Sequence, residues 1–486
     1  MSRVSNIFRL PILAIGLLLA RFGIIDRKRA IETTDLAWPR IVTGVARMSK
    51  NAVDVAMVGA ALGTKAVAGV GFAGPFWGIA FAIGGGVAGG TIAMVSQRYG
   101  AEAYDELGLS VRSSTLLVVL ISTPVMVTFW MFPAELVGLL SNDARAVAYG
   151  ADYLRIVGLG IPFAGLNLVG SRVLVGADDA FTAMQVRAGG AVVNVVLNAV
   201  FIFGLGLGVE GAALGTVLSN VIAVSVFAIG ISQGHAPLLG TFPVTINPYG
   251  NYLDGPTIRD LIRIGTPVGA RNLVWTAAEF PMLAILSTFG TSTVAAFVIA
   301  RRIWGVMNTP GWGFGLASSS LSGQALGQAK EELAEAYGHD IIRFSVATYA
   351  VSAIIIAVFA EQLVLLFTGG PGPEVPIAIN LIYAACVAVL FQGVSGAAIG
   401  PLDASGDTRV PFLSQLLGMF GGSIPFAYLG SVTVLGHWGL YLAFIAETTI
   451  PASINYWRFR SGEWKEVSRQ YRPDAAETDA EATAVD

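Results

Sequence analysis

The stretch that decides the fold is Trp38–Ala60, which reads WPRIVTGVARMSKNAVDVAMVGA. It is long enough to cross a lipid bilayer as a helix, which takes about 20 residues. Its C-terminal half nevertheless carries a carboxylate, Asp54, among aliphatic residues. Burying that charge in the membrane costs at least ~2.5–3.5 kcal/mol unless the side chain faces water or a partner. Asp54 is therefore a candidate functional residue within a membrane helix.

Polar residues recur along this helix at steps of three and four. Arg47, Lys50, Asn51 and Asp54 consequently lie close to one face of the helix. Ionisable residues within membrane helices usually mark a functional site. The alternative is a structural ion pair between Lys50 and Asp54, one turn apart, that only holds helices together. The sequence leaves both interpretations open.

The composition of the chain indicates a polytopic membrane protein. Of its 486 residues, 54% are hydrophobic and only 13% are charged, which excludes an ordinary soluble domain. A single cysteine, Cys386, excludes an intramolecular disulfide and disfavours a cysteine-ligated metal centre. The sequence lacks a phosphate-binding GxxxxGK[ST] loop, an HExxH motif and a Ser/His/Asp arrangement. We therefore expect no enzymatic activity, no cofactor, no nucleic-acid partner and a monomer.

Hydropathy predicts an all-α protein with twelve membrane spans. Their approximate bounds are 38–60, 67–97, 107–132, 147–175, 182–206, 209–232, 258–288, 293–327, 341–367, 376–402, 410–432 and 438–458. Most basic residues fall in alternate connections or in the span ends beside them. Arg172 and Arg187, in the adjoining ends of the spans 147–175 and 182–206, are assigned to one such connection. The positive-inside rule then places both termini in the cytoplasm of a multi-pass plasma-membrane protein.

The chain also repeats itself. Trp77-Gly78 matches Trp304-Gly305, and Gly63-Thr64 matches Gly290-Thr291 at the same offset along the chain. Such a repeat predicts two pseudosymmetric six-helix bundles that insert in the same orientation, as parallel repeats. The predicted organisation is an N-terminal segment, an N-terminal lobe, a linker, a C-terminal lobe and a tail, at 1–37, 38–232, 233–257, 258–458 and 459–486.

The two ends of the chain differ in character. Residues 7–25 are apolar but interrupted by Arg9 and Arg21, which favours an interfacial helix over a full span. The tail after Arg472 has five acidic residues and no basic ones, so we expect it to be solvated.

Three further polar residues of the N-terminal lobe lie within predicted spans. Asn194 and Asn198 are one helical turn apart in the fifth span, and Thr216 lies in the sixth. Together with Asp54 they offer oxygen ligands of the kind that suit sodium, or a proton held on the carboxylate. The alternative is ordinary hydrogen bonding between membrane helices, at ~0.6 kcal/mol per bond.

Several motifs carry a family resemblance. Residues 51–59 (NAVDVAMVG) resemble a signature of the first span in the multidrug and toxic compound extrusion (MATE) antiporters. Residues 96–100 (SQRYG) resemble the end of the family's second span, and 194–204 its fifth span. Residues 405–411 (SGDTRVP) are similar to a conserved loop, and 300–303 (ARRI) are closest to the DinF-like branch.

The resemblance implies a twelve-helix antiporter that exports organic, often cationic and amphipathic compounds in exchange for sodium or protons. Transport would proceed by alternating access of the two lobes. In the branch that the chain resembles, the family's aspartate falls on Asp54, its asparagine on Asn194 and its threonine on Thr216. These three residues form the candidate sodium site. The family's second aspartate falls on Asn198, where this chain departs from the pattern.

That departure bears on the coupling ion. Loss of a carboxylate at Asn198 removes one negative charge from the site, and Lys50 adds a positive charge one turn from Asp54. Both changes weaken sodium binding electrostatically. We hypothesise that coupling uses protons, or that Lys50 partly replaces the cation.

Charged residues in the spans of the C-terminal lobe are candidate modulators. Glu279 would line a cavity or relay a proton, and Arg271, two turns before it, would pair with it only loosely. At least one of Arg301 and Arg302 must face a polar interior, and the alternative favoured slightly is a structural partnership with Glu279 or a backbone carbonyl. Two alternative functions remain: a lipid-linked oligosaccharide flippase of the same superfamily, and a membrane scaffold without transport. The first would need a more basic cavity, which Arg271, Arg301 and Arg302 partly supply, and the second would make Asp54 dispensable.

Overall fold

The structure is a computed structural model, and it describes residues 3–368 and 370–473. Nearly all of these residues are helical. The first nine helices are α1 (Arg3–Arg21), α2 (Arg27–Leu62), α3 (Thr64–Gly100), α4 (Tyr104–Met131), α5 (Pro133–Gly138), α6 (Ala144–Leu159), α7 (Ile161–Gly176), α8 (Ala180–Ala199) and α9 (Gly208–Gln233). A π-helical turn, Val200–Gly204, continues α8.

A two-stranded hairpin separates these helices from the rest. Strands β1 (His235–Ala236) and β2 (Gly240–Thr241) pair antiparallel, with His235 opposite Thr241. The later helices are α10 (Gly255–Thr288), α11 (Thr291–Met307), α12 (Thr309–Gly327), α13 (Glu331–Val358), α14 (Ala360–Thr368), α15 (Glu374–Ser405), α16 (Arg409–Leu416), α17 (Ile424–Val432), α18 (His437–Ser461) and α19 (Glu463–Arg469). A second π-helical stretch, Leu417–Ser423, joins α16 to α17.

The predicted spans agree with these helices. Each of the twelve falls on one helix or on consecutive helices separated by a short break. Within residues 3–368 and 370–473, seven helices are long and apolar enough to cross a membrane on their own. The bent pair α6 and α7, which meet at 50°, is long and apolar enough when its two helices are taken together. The chain is therefore an all-α membrane protein, as predicted.

Two of the breaks have a proline at the start of the following helix. Pro162 occupies the first turn of α7, and Pro310 occupies the first turn of α12. Proline has no backbone N–H to donate, so it is tolerated at this position and disfavours continuation of the preceding helix. The bend between α6 and α7 brings both helices of the pair against α3 and α9.

The helices divide into two compact units, and the first comprises Val42–Gly269. Its core includes Ala73, Phe129, Leu154 and Ala213, all of them buried. Helices α3 and α6 approach so closely that a Cβ atom on Gly69 would lie 2.5 Å from the carbonyl oxygen of Ala146. Glycine is required there, as expected where membrane helices pack through small residues.

The second unit comprises the described residues up to Ile41 and those from Ala270 onward. Its core surrounds α15, which packs against α11, α12, α13 and α18. Helix α1 contacts α13, and the next connection is anchored to the same helix by Arg29, whose Nε lies 2.7 Å from Asp340 Oδ2. The predicted N-terminal helix is therefore present, and its position at the membrane interface stays a prediction. The acidic part of the tail, residues 474–486, lies outside the described residues.

Candidate functional site

The four polar residues singled out in the N-terminal lobe come together in the Val42–Gly269 unit. Helix α2 carries Asp54, α8 carries Asn194 and Asn198, and α9 carries Thr216. The two asparagines are fully buried, and Thr216 is buried as well. Three separate helices therefore supply side chains to one polar site.

Both carboxylate oxygens of Asp54 have protein donors. The amide Nδ2 of Asn198 donates to Oδ1 at 2.7 Å, and the ammonium of Lys50 donates to Oδ2 at 2.8 Å. The side chains of Lys50 and Asp54 are 18% and 17% exposed, so the ion pair is partly accessible. A charged hydrogen bond of this length is among the stronger kinds in proteins.

Hydrogen bonds continue from Asn198 to the other two residues. Asn198 Nδ2 lies 3.4 Å from Asn194 Oδ1, and Asn194 Nδ2 donates to Thr216 Oγ1 at 3.2 Å. The Thr216 hydroxyl in turn donates to the carbonyl oxygen of Ala212 at 3.1 Å. A single chain of polar groups thus runs from the carboxylate of α2 to the backbone of α9.

The position of Asn198 depends on a glycine of the facing helix. A Cβ atom on Gly215 would lie only 1.9 Å from Asn198 Oδ1, so a larger residue there would displace the amide. The π-helical turn begins two residues after Asn198, at Val200. Such turns frequently occur at functional sites.

The polar site opens into a cavity of about 580 Å³, a volume typical of small-molecule sites. Lys50, Asn51 and Asp54 line it on one side, while Trp77 and Phe81 contribute aromatic surface. Its remaining polar and charged lining residues are Thr43, Arg47, Tyr153, Asn167, Arg187, Thr216, Ser219 and Asn220.

Several of these lining residues were missed by the sequence analysis. Tyr153 lies beside Asp54 and Thr216, and Asn167 Nδ2 donates to Asn220 Oδ1 at 3.1 Å. Asn167 and Asn220 could have been found from the sequence, because each is a polar residue within an otherwise apolar span. Arg187, which we had assigned to a connection, lies two turns inside α8 and lines the cavity.

The candidate modulators of the other unit do not line this cavity. Arg301 makes two hydrogen bonds of 2.6 Å to the carboxylate of Glu447, whose side chain is fully buried. The prediction that Arg301 pairs with Glu279 or a backbone carbonyl is therefore wrong. Glu279 and Arg302 are both exposed on their helices. Glu447 had no local signal, because its partner is 146 residues away in the chain.

A second long-range ion pair lies in the same unit. Arg271 makes two hydrogen bonds to the carboxylate of Asp403, at 3.0 and 2.8 Å. A loose pairing of Arg271 with Glu279 on its own helix was expected from the sequence. The structure gives Arg271 a partner on α15 in its place.

The donor set bears on metal binding. Across residues 3–368 and 370–473, no group of three or more histidine, cysteine or acidic side chains could hold a metal ion. Asp54, Asn194 and Thr216, the candidate sodium ligands, do lie in one site. One oxygen of the Asp54 carboxylate, Oδ2, already accepts from the Lys50 ammonium. This arrangement fits sodium poorly, because two cations would compete for one carboxylate.

Comparison with known proteins gives a consistent result. The MatE family model matches residues 39–200 and 267–429, which together make up more than half of the chain. The two matched stretches are nearly equal in length, and their offset agrees with the internal repeat found in the sequence.

Two curated relatives illustrate the similarity. The chain is 23% identical over 416 residues to the probable multidrug resistance protein YoeA of Bacillus subtilis, covering 84% of this chain and 89% of that protein. It is 25% identical over 450 residues to the probable multidrug resistance protein NorM of Rhodopseudomonas palustris, covering 89% and 92%.

The fold agrees as well. A crystal structure of MATE in the bent conformation superposes with a TM-score of 0.83 at 22% identity, covering 91% of this chain and 97% of that one. The twelve-helix, two-lobe fold predicted from the sequence is thus confirmed, whereas the DinF-like branch stays a prediction. On the evidence of the repeated family match, the chain belongs to the MatE family.

Proposed function

We propose that this protein is a secondary antiporter that exports organic amphipathic compounds in exchange for an ion moving inward. The observation that carries the proposal is the Asp54 carboxylate, held between Lys50 and Asn198 at the wall of a drug-sized cavity. The relatives named as multidrug resistance proteins support the same interpretation. The flippase and scaffold alternatives find no such support among these relatives.

The coupling ion in this proposal is the proton. The Lys50 ammonium already neutralises the one carboxylate of the site, and Asn198 contributes an amide where the family pattern has a second carboxylate. Protonation of Asp54 would abolish its attraction for Lys50 and free the ammonium within the cavity. A change of one charge at the junction of three helices is the kind of event that biases a two-state rearrangement.

The setting follows from the same reasoning. The protein would work in the plasma membrane with both termini in the cytoplasm, as a monomer, and alternating access of its two lobes would move the substrate. Its partners would be small organic compounds and the lipid bilayer, and it would not act as an enzyme or bind nucleic acid. The charge class of the substrate is tested by offering both positively and negatively charged organic compounds.

Transport in proteoliposomes tests the proposal. Fluorescent amphipaths of positive and negative charge would be offered to wild type, with a pH gradient and a sodium gradient imposed separately. We expect flux under the pH gradient alone, and Asp54→Asn should reduce that flux at least to the level of protein-free vesicles. Asp143→Asn, which alters a carboxylate outside the cavity, is the matched control. Equal flux by wild type and Asp54→Asn would contradict the proposal.

A further inference from the structure

The cavity in the Val42–Gly269 unit is predominantly basic. Among its described lining residues, three carry positive charge and one carries negative charge: Arg47, Lys50, Arg187 and Asp54. The single carboxylate is already paired with Lys50 at 2.8 Å. The described lining therefore carries two more positive charges than negative ones. An organic cation entering it would meet a surplus of positive charge.

The two arginines and the carboxylate lie at different depths along the cavity. Arg47 is seven residues before Asp54 on α2, which corresponds to about 10 Å at 1.5 Å per residue. Arg187 is eleven residues before Asn198 on α8, or about 16 Å. The cavity thus has a coupling end, at Asp54, and an arginine end, at Arg47 and Arg187.

Arg187 has unused hydrogen-bonding capacity. Its Nη1 atom is buried and has no hydrogen-bond partner among the described residues. The positive charges of Arg172 and Arg47 act on it electrostatically and add to the local surplus. A buried guanidinium nitrogen whose N–H groups lack an acceptor is costly, and an anion that accepts from it removes that cost. Guanidinium geometry is well suited to carboxylate, sulfonate and phosphate groups.

The rest of the lining suits the apolar body of such a compound. Trp77 and Phe81 offer aromatic faces, and Val70 and Met48 add aliphatic surface. Asn167 and Asn220 provide neutral polar groups along the same cavity. The combination of a few charged groups with mainly apolar walls is typical of small-molecule sites.

We propose that the cavity binds amphipathic organic anions, with Arg187 and Arg47 on the anionic group and Trp77 and Phe81 on the apolar body. The proposal rests on the proposed function, since it names the charge class of the exported compounds. It differs from the cationic substrates that the sequence resemblance implied. A phospholipid headgroup offers similar anionic chemistry, so the experiment has to separate it from a soluble amphipath.

Dye binding to the purified protein in detergent tests the proposal without requiring transport. Sulforhodamine B, which is anionic, would be compared with the ethyl ester of rhodamine B, which is cationic and has the same ring system. We expect wild type to bind the anion roughly tenfold more tightly or better, the difference that one charged hydrogen bond supplies. Equal or tighter binding of the cationic ester would overturn the proposal.

Variants identify the arginine end as the source of the preference. Arg187→Gln should remove most of the preference for sulforhodamine B, whereas the charge-retaining Arg187→Lys should keep most of it. Arg155→Gln is the matched control, because Arg155 is exposed on α6 beside Trp130 and does not line the cavity. The assignment of the anionic group to Arg187 would be contradicted if Arg187→Gln and Arg187→Lys, both monodisperse, kept the wild-type preference for sulforhodamine B.

Two further arms separate the remaining possibilities. Short-chain phosphatidic acid that binds more tightly than sulforhodamine B would assign the arginine end to a lipid headgroup and overturn the proposal. Asp54-dependent export of the cationic ester without anion binding would overturn this inference and leave the antiporter proposal intact. Anion binding without transport of either dye would support this inference while the antiporter proposal fails.

Discussion

Two acid–base pairs in the two units of this protein have the same chemistry and very different surroundings. Lys50 and Asp54 are one turn apart on α2, both are partly exposed, and both line a cavity. Arg301 and Glu447 lie on different helices, and the Glu447 side chain is completely buried. The Arg301 guanidinium also lies over the rings of Phe297 and Phe444, at 5.1 and 4.4 Å from their centroids.

The contrast indicates different roles. The Arg301–Glu447 pair makes two short hydrogen bonds in an aromatic environment. The Glu447 side chain is fully buried, so without Arg301 its carboxylate would be a buried, uncompensated charge. The Lys50–Asp54 pair has access to the cavity, so water or a proton can reach it at lower cost. We infer that the first pair holds α11 and α18 together, whereas the second can change its charge during transport.

The largest expected effect comes from the buried pair. Arg301→Leu should lower the free energy of unfolding by about 3–5 kcal/mol, because it leaves the fully buried Glu447 carboxylate without its counter-charge. Asp54→Asn should cost about 1 kcal/mol or less, as is usual for accessible pairs. Thermal unfolding of both variants in detergent measures the difference. Adding Glu447→Leu to Arg301→Leu should recover part of the loss. Similar losses for Arg301→Leu and Asp54→Asn would contradict the difference drawn between the two pairs.

A glycine substitution tests whether the Asn198 amide positions Asp54 at the cavity. Gly215→Ala should displace the Asn198 amide from Asp54 and lower stability by about 1–3 kcal/mol, as overpacking usually does. We expect transport to fall more than stability alone would explain. Gly71→Ala is the matched control, because a Cβ there meets nothing within 4 Å although Gly71 also lines the cavity. Equal activity of the two variants would show that Asn198 does not position Asp54.

The role of Lys50 can be tested by changing the ion that the site accepts. Lys50→Met combined with Asn198→Asp gives the site two carboxylates and no ammonium. Each change favours a bound cation by several kcal/mol at an effective dielectric constant of about 20. Transport by the double variant should therefore become at least roughly tenfold more sensitive to sodium than wild type. The measurement is flux at a series of sodium concentrations and constant pH. The same sodium dependence in the double variant and in wild type would argue against Lys50 as a substitute for the bound cation.

The smallest effect is expected at a fully solvated pair. Lys65 and Asp143 lie 3.0 Å apart, and Asp143 also caps α6. Hydrogen bonds from the Ala146 backbone N–H and from Lys65 hold the pKa of Asp143 below its usual value near 3.8. Its contribution to stability is therefore present above pH 3.8 and lost as the pH falls through the lowered pKa.

The Asp143→Asn variant isolates that contribution. Asparagine keeps the capping hydrogen bonds but cannot titrate, so wild type and variant should unfold at similar temperatures in acid. The small advantage of wild type should appear only as the pH rises above the pKa of Asp143. An advantage that is the same at all pH values would contradict the assignment.

The sequence was sufficient to predict the site where the signals were local or periodic. Asn194 and Asn198 share a helical face, and Asp54 is conspicuous in an apolar span, so these residues could be named before the structure was known. Ion pairs between residues far apart in the chain could not be predicted, because no local pattern near Glu447 indicates Arg301 as its partner. Arg187 was misplaced because the positive-inside rule assigns arginines near span ends to the connections. The contact between Gly215 and Asn198 depends on the packing of α8 against α9, which composition does not reveal.

The most direct test of the central claim is to follow protons and substrate together in sodium-free proteoliposomes. A pH-sensitive dye inside the vesicles would report proton movement after substrate is added, for wild type and Asp54→Asn. We predict that wild type moves protons opposite to the substrate without sodium and that Asp54→Asn moves neither. Proton movement that persists in Asp54→Asn, or that appears in wild type only when sodium is present, would contradict the role of Asp54 as the proton-coupling group.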